Sequence, residues 1–201
     1  MEYIIHLEKD TILEQHIKQH GVFNLKHKKH IYFYLCNSIM SQQLSTKVAD
    51  VFQRRFLELY NGKIPTAQQI SATPFATLRA IGLSNAKAQY VLNVAAFELT
   101  QGMRATQLKK MSNEAIIDYL TQIKGVGKWT VEMLLMFALC REDIFPLDDL
   151  GIQNAMIKMY SIKHKDKKMI RKKMIKIAEQ WSPYRTYACL YLWRSIDSPT
   201  K

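Results

Sequence analysis

Apolar positions along this chain recur three and four residues apart, the spacing of helices lying on a core, and no run alternates as a half-buried strand would. The pattern predicts an all-α fold with helices near 10–20, 29–40, 44–60, 66–70, 74–80, 84–101, 112–123, 129–140, 149–160, 166–180 and 183–196. Gly21, Gly62, Gly82 and Gly102 follow these stretches as C-terminal caps, and Ser84, Ser112 and Asp166 stand where N-caps belong. "WTVEMLLMFALC" is apolar almost all round, so it is expected as a central strut surrounded by other helices. "DKKMIRKKMIKIAEQW" instead sets Met169, Ile170, Met174, Ile177 and Ala178 on one stripe, with Lys167, Lys168, Arg171, Lys172 and Lys173 around the rest. That basic face is either simply solvated or a phosphate contact.

Glycine is scarce, seven in 201 residues, yet "LTQIKGVGKWT" places Gly125 and Gly127 between two helical segments. The amides of Gly125, Val126 and Gly127 then lie near a helix N-terminus, where unpartnered N–H groups and the helix dipole can seat a phosphate. Lys124 and Lys128 add full charges at its edges. Without more, a tight corner between packed helices accounts for the turn equally well.

Charge alters the picture. With 29 Lys plus Arg against 17 Asp plus Glu the chain carries +12, and its pI is near 9.6. Such a balance favours a polyanionic partner, nucleic acid or an anionic membrane surface. No apolar run reaches the roughly 20 residues of a spanning helix, and "MEYIIHLEKD" has neither a basic start nor a cleavage signal, so a soluble intracellular protein is expected. Cys36, Cys140 and Cys189 are scattered among apolar residues and read as small hydrophobes, too few for an iron–sulfur cluster. His16 with His20, and His27 with His30, have no matching carboxylates or thiols and are expected at the surface.

After the strut comes "REDIFPLDDLGIQNAM", where Asp148 and Asp149 follow the helix-stopping Pro146 and open another helix. They read as an N-cap pair, or as a carboxylate kept ionised by the helix dipole for chemistry. On spacing alone Trp181, Tyr184, Tyr187 and Trp193 belong to a core, and "GLSNAK" needs nothing beyond capping by Ser84, though Lys87 is a candidate for meeting phosphate.

Taken together, "IKGVGKWTVEMLLMFALCREDIFPLDDLGI", "IMSQQLSTKVA", "IGLSNAKAQY" and "AEQWSPYRTYACLYLWR" resemble, in order, the motifs of the helix-hairpin-helix DNA glycosylase superfamily. The match is to its alkylpurine branch, the AlkA- and Mag-like 3-methyladenine glycosylases, from about residue 30 to 195. The resemblance implies two helical lobes, 29–138 as a barrel ending in the hairpin, and 1–28 with 139–201 as the lobe carrying a catalytic aspartate, with the active site in the cleft between lobes. It implies Asp149 as that aspartate, stabilising an oxocarbenium-like sugar while water attacks.

Further roles follow from the same resemblance. Gln43, with Gln42 and Leu44 as alternatives, is the intercalating plug that fills the gap left by an extruded base. Trp193 lines the base pocket with Trp129 and Phe145, while Met133 stands where the bacterial archetype has an aromatic residue. Trp129 occupies the place of the lysine nucleophile of the strand-cleaving relatives, so no lyase activity is expected. The implied partner is double-stranded DNA containing alkylated bases, with no membrane, bound by a monomer in the nucleoid or nucleus. No cofactor is implied beyond a structural monovalent cation, sodium or potassium, on the hairpin carbonyls. The alternative is a non-catalytic helix-hairpin-helix module that binds DNA only.

Overall fold

The computed structural model describes residues 1–164 and 166–197; residue 165 and the last four residues of the expected second lobe lie outside the described residues. Among the described residues all regular structure is helical: α1 (Glu2–Leu7), α2 (Thr11–His20), α3 (Ile31–Ser41), α4 (Thr46–Glu58), α5 (Ala67–Ala72), α6 (Phe75–Ala80), α7 (Asn85–Thr100), α8 (Ala105–Leu108), α9 (Asn113–Leu120), α10 (Lys128–Phe137), α11 (Leu150–Met159), α12 (Lys167–Glu179) and α13 (Arg185–Asp197). No described helix is long and apolar enough to cross a membrane. The chain divides into two units, Met1–Lys26 with Cys140–Lys201, and His27–Leu139.

The second of these units holds α3 to α10. Its α7 packs against α3, α5 and α6, and α10 packs against α3 and α9. Every residue of α10 from Thr130 to Met136 is buried, which accounts for its apolar circumference. The helix is shorter than its pattern implies, however, ending at Phe137, with Cys140 beyond it at φ 54. Thr66 and Gln69 form a reciprocal capping box on α5, and the Ser84 and Ser112 side chains cap α7 and α9. Burial pushes the Cys36 thiol up to about 12, as suits an inert core residue.

In the other unit Asp10 ties distant segments together. Its Oδ1 caps α2 by accepting from the Ile12 and Leu13 amides, while Oδ2 accepts from the Tyr160 hydroxyl at 2.7 Å and the Trp181 indole at 3.0 Å. Tyr191 donates to the Gly21 carbonyl at 2.8 Å, and the rings of Tyr3 and Tyr187 stack at 3.8 Å. The segment leading to the aspartate pair is stitched to the start of α13. Arg185 clasps Asp143 at 2.6 and 2.8 Å, and the Thr186 hydroxyl donates to the Arg141 carbonyl and accepts from the Ile144 amide.

Three expectations change. The short α1 and α8 were not foreseen from the pattern, and neither has a side-chain N-cap to announce it. On α12 the buried positions are Met174 and Ala178, whereas Met169 is 37% exposed and leaves the stripe. His16 and His20 are half-buried rather than superficial, their rings stacked at 5.9 Å; burial, then the neighbouring His20, holds His16 below the usual histidine range. Among the described residues no three metal-ligating side chains come together.

Candidate functional site

The hairpin turn runs from the end of α9 to Gly127, which is the N-cap of α10 and, having no side chain, leaves the first amides of that helix without a side-chain cap. Its two glycines serve different ends. Gly125 sits at φ +105, and a Cβ there would lie 2.2 to 2.6 Å from three ring atoms of Tyr90. One turn along α7 from Tyr90, the Asn93 amide donates to the Lys124 carbonyl at 3.0 Å. Thus α7 supports the turn at two adjacent points. At Gly127 a Cβ would meet nothing within 4 Å, so the outer face of the turn is open. Val126, expected to offer its amide to phosphate, is instead buried and donates that N–H to the Ile123 carbonyl at 2.9 Å, because the turn closes on itself. Lys124 and Lys128 are exposed, and the Lys128 ammonium stands 3.7 Å from the carboxylate of the buried Glu132 one turn on.

The same unit contains a concavity of about 840 Å³ between the end of α3, the turn that follows it, and α10. Gln42, Gln43, Leu44, Trp129 and Met133 all line it, together with Tyr34. Trp129 is 45% exposed, unusual for an indole in a helix so apolar. Tyr34 donates to the Met133 carbonyl at 3.2 Å, and burial pushes its phenol up to about 12, so it stays a neutral donor. Of the three intercalation candidates Gln43 is the exposed one, and it adopts φ 59, a left-handed conformation uncommon outside glycine and asparagine.

In the other unit, Asp149 caps α11. Its Oδ1 accepts from the Ile152 amide at 2.9 Å and from the Trp193 indole at 3.0 Å. Of the pair, Asp149 alone is the cap, while the exposed Asp148 accepts from the Arg171 guanidinium on α12 at 2.7 Å. Phe145 packs edge-on to Trp181 at 6.0 Å. Trp193, expected to present its ring to a base, also places its N–H on the carboxylate.

One residue escaped the sequence reading. A Cβ on Gly151 would come within 3.0 Å of Asp149 Oδ1 and 3.1 and 3.2 Å of the Trp193 ring, so only glycine leaves the pair undisturbed. A signal existed in "DDLGI": a glycine inside a first helical turn costs about 1 kcal/mol relative to alanine and needs a reason.

Residues 36–180 match the model of the HhH-GPD superfamily base excision DNA repair protein. DNA-3-methyladenine glycosylase 1 of Schizosaccharomyces pombe is 38% identical over 171 residues, covering 84% of this chain and 73% of the relative. The structure of 3-methyladenine DNA glycosylase (Mag1) of that yeast in complex with abasic DNA superposes with a TM-score of 0.87 over the full length of both chains, at 34% identity. A DNA-3-methyladenine glycosidase from Bacillus halodurans gives 0.82 over 94% of this chain and 86% of its own, at 33% identity. The chain therefore belongs to the HhH-GPD superfamily of base excision DNA repair proteins.

Proposed function

We propose that the chain is a monofunctional DNA glycosylase that, as a monomer, extrudes alkylated purines such as 3-methyladenine from duplex DNA and hydrolyses their N-glycosidic bond. The observation that carries this reading is the carboxylate of Asp149, gripped through one oxygen by two N–H donors at the start of α11. The names of the relatives, both 3-methyladenine glycosylases, support the substrate class.

A purine methylated on a ring nitrogen is cationic. As C1′–N breaks, the bonding pair goes to the base, which leaves neutral, and positive charge passes to the sugar. Asp149 stabilises that charge while water adds to C1′ and gives up its proton to the surrounding solvent. Trp129 and Met133 supply apolar surface against the flat base, Trp129 through stacking and cation–π attraction. Gln43, or one of its neighbours Gln42 and Leu44, fills the vacated stack. Lys124, Lys128 and the α10 amides beyond Gly127 hold a phosphate. A monovalent cation on the hairpin carbonyls belongs to the same reading. The Ile123 carbonyl accepts from the Val126 amide and the Lys124 carbonyl from Asn93, and a carbonyl oxygen carries a second lone pair that such an ion can use.

Incubation with methylated duplex is expected to release free 3-methyladenine and leave sites that break only on heating in alkali. Borohydride is expected to trap no covalent complex, since an indole holds the position of the amine nucleophile. A protein that binds this duplex and releases nothing would be the non-catalytic module instead; a trapped adduct would end the monofunctional assignment.

The grip on Asp149 makes a second prediction. Trp193→Phe keeps an aromatic ring and deletes the donor, and Gly151→Ala pushes the two partners apart. Each is expected to lower single-turnover base release about tenfold with unchanged affinity for abasic-site DNA. The double variant is expected to be little worse than either single one, because both act through one hydrogen bond. Fully multiplicative losses would show that they act separately.

A further inference from the structure

Lys87 was a candidate phosphate contact, but its ammonium is turned inward. Ser84 caps the backbone of α7 at the Lys87 amide, and the Lys87 side chain crosses to α3, where Nζ donates to the Met40 carbonyl at 2.9 Å and the Gln42 carbonyl at 2.7 Å. These carbonyls close α3, and the last turn of a helix leaves its carbonyls without intrahelical donors. That turn has no basic residue of its own, so a cation from α7 meets the negative end of the helix dipole. Burial lowers the pKa of Lys87, as expected of a charge taken from water to serve this contact.

Immediately beyond the second carbonyl comes Gln43 at φ 59. A left-handed non-glycine residue is strained and persists only where its surroundings over-determine it. Lys87 is such a surrounding: it anchors the peptide just before the strained residue. The Ser41 hydroxyl, by contrast, turns back to the Asn37 carbonyl and cannot serve this end.

We propose that Lys87 is a positioning residue for base extrusion, holding the turn of Gln42, Gln43 and Leu44 in the one shape that can enter the base stack. The proposal rests on the glycosylase reading. Its consequence is selective. A wedge is needed only where a base must be drawn out of a duplex, and a base in a single strand offers no such resistance.

The test uses the full chain as wild type, Lys87→Met and Lys87→Arg, with a methylated oligonucleotide presented alone and in duplex. Single-turnover base release by Lys87→Met is expected to fall about tenfold on duplex and to stay within about twofold on the single strand, with Lys87→Arg recovering part of the duplex rate. A second readout needs no chemistry: 2-aminopurine beside an abasic-site analogue should brighten on binding wild type and much less with Lys87→Met. Equal losses on both substrates, or no loss on duplex, overturn the proposal. A wild type that releases base from neither substrate defeats the glycosylase reading, and the fluorescence then decides the role of Lys87 by itself.

Discussion

Asp149→Asn is expected to leave the protein folded and bound to abasic-site DNA while lowering base release by roughly 10²–10³-fold, the scale of losing a pre-organised charge partner of the transition state. The substitution is unusually clean here. The amide oxygen can still accept from the Ile152 amide and the Trp193 indole, and asparagine equals aspartate as an N-cap, so α11 keeps its start and Tm should barely move. What disappears is the negative charge. Asp148→Asn breaks only an ion pair whose partners are both well exposed, the kind that contributes about 0–1 kcal/mol, and its activity is expected within about threefold of wild type. Parallel thermal melts, abasic-site binding and single-turnover rates check both variants. Equal loss in the two, or loss in Asp148→Asn alone, would refute Asp149 as the catalytic carboxylate.

Gly125→Ala is expected to cost stability, and Gly127→Ala to cost DNA affinity. At Gly125 the new methyl meets the Tyr90 ring at 2.2 Å and the backbone at φ +105 resists any side chain. Overpacking and left-handed strain together amount to roughly 2–5 kcal/mol, which for a chain of this size lowers Tm by about 5–15 °C. Removing the ring with Tyr90→Ala should return part of that loss, since it relieves the collision and leaves the backbone strain. At Gly127, φ −94 is ordinary and the space beyond is open, so alanine should fold normally. Its methyl would stand where a sugar-phosphate backbone approaches, weakening binding to damaged and undamaged duplex alike. Identical melting temperatures for the two alanine variants would contradict the packing against Tyr90. Normal DNA binding by a folded Gly127→Ala would move the phosphate seat elsewhere, to the basic face of α12.

Much of this chain could be read without coordinates, and the readable parts share a cause. Helices α7, α9 and α12 begin where Ser84, Ser112 and Asp166 stand because an N-cap side chain bonds an amide two or three residues on, an interaction wholly contained in the local sequence. The buried circumference of α10, the turn at Gly125 and Gly127, and the start of α11 just after Pro146 were legible for the same reason, each being a pattern within about one or two helical turns. Helices α1 and α8, of six and four residues, were not foreseen. The tertiary structure alone decided which glycine is structural, since that depends on a ring carried by another helix. It alone also decided that Asp148 belongs to Arg171, that the Trp193 indole, 44 residues from Asp149, donates to its carboxylate, and that Lys87, 45 residues from Gln42, donates to the Gln42 carbonyl at the end of α3. The division follows from the range of the forces: capping and periodicity act within a helix, whereas steric exclusion and hydrogen bonds between helices exist only after the core has brought remote segments to contact distance.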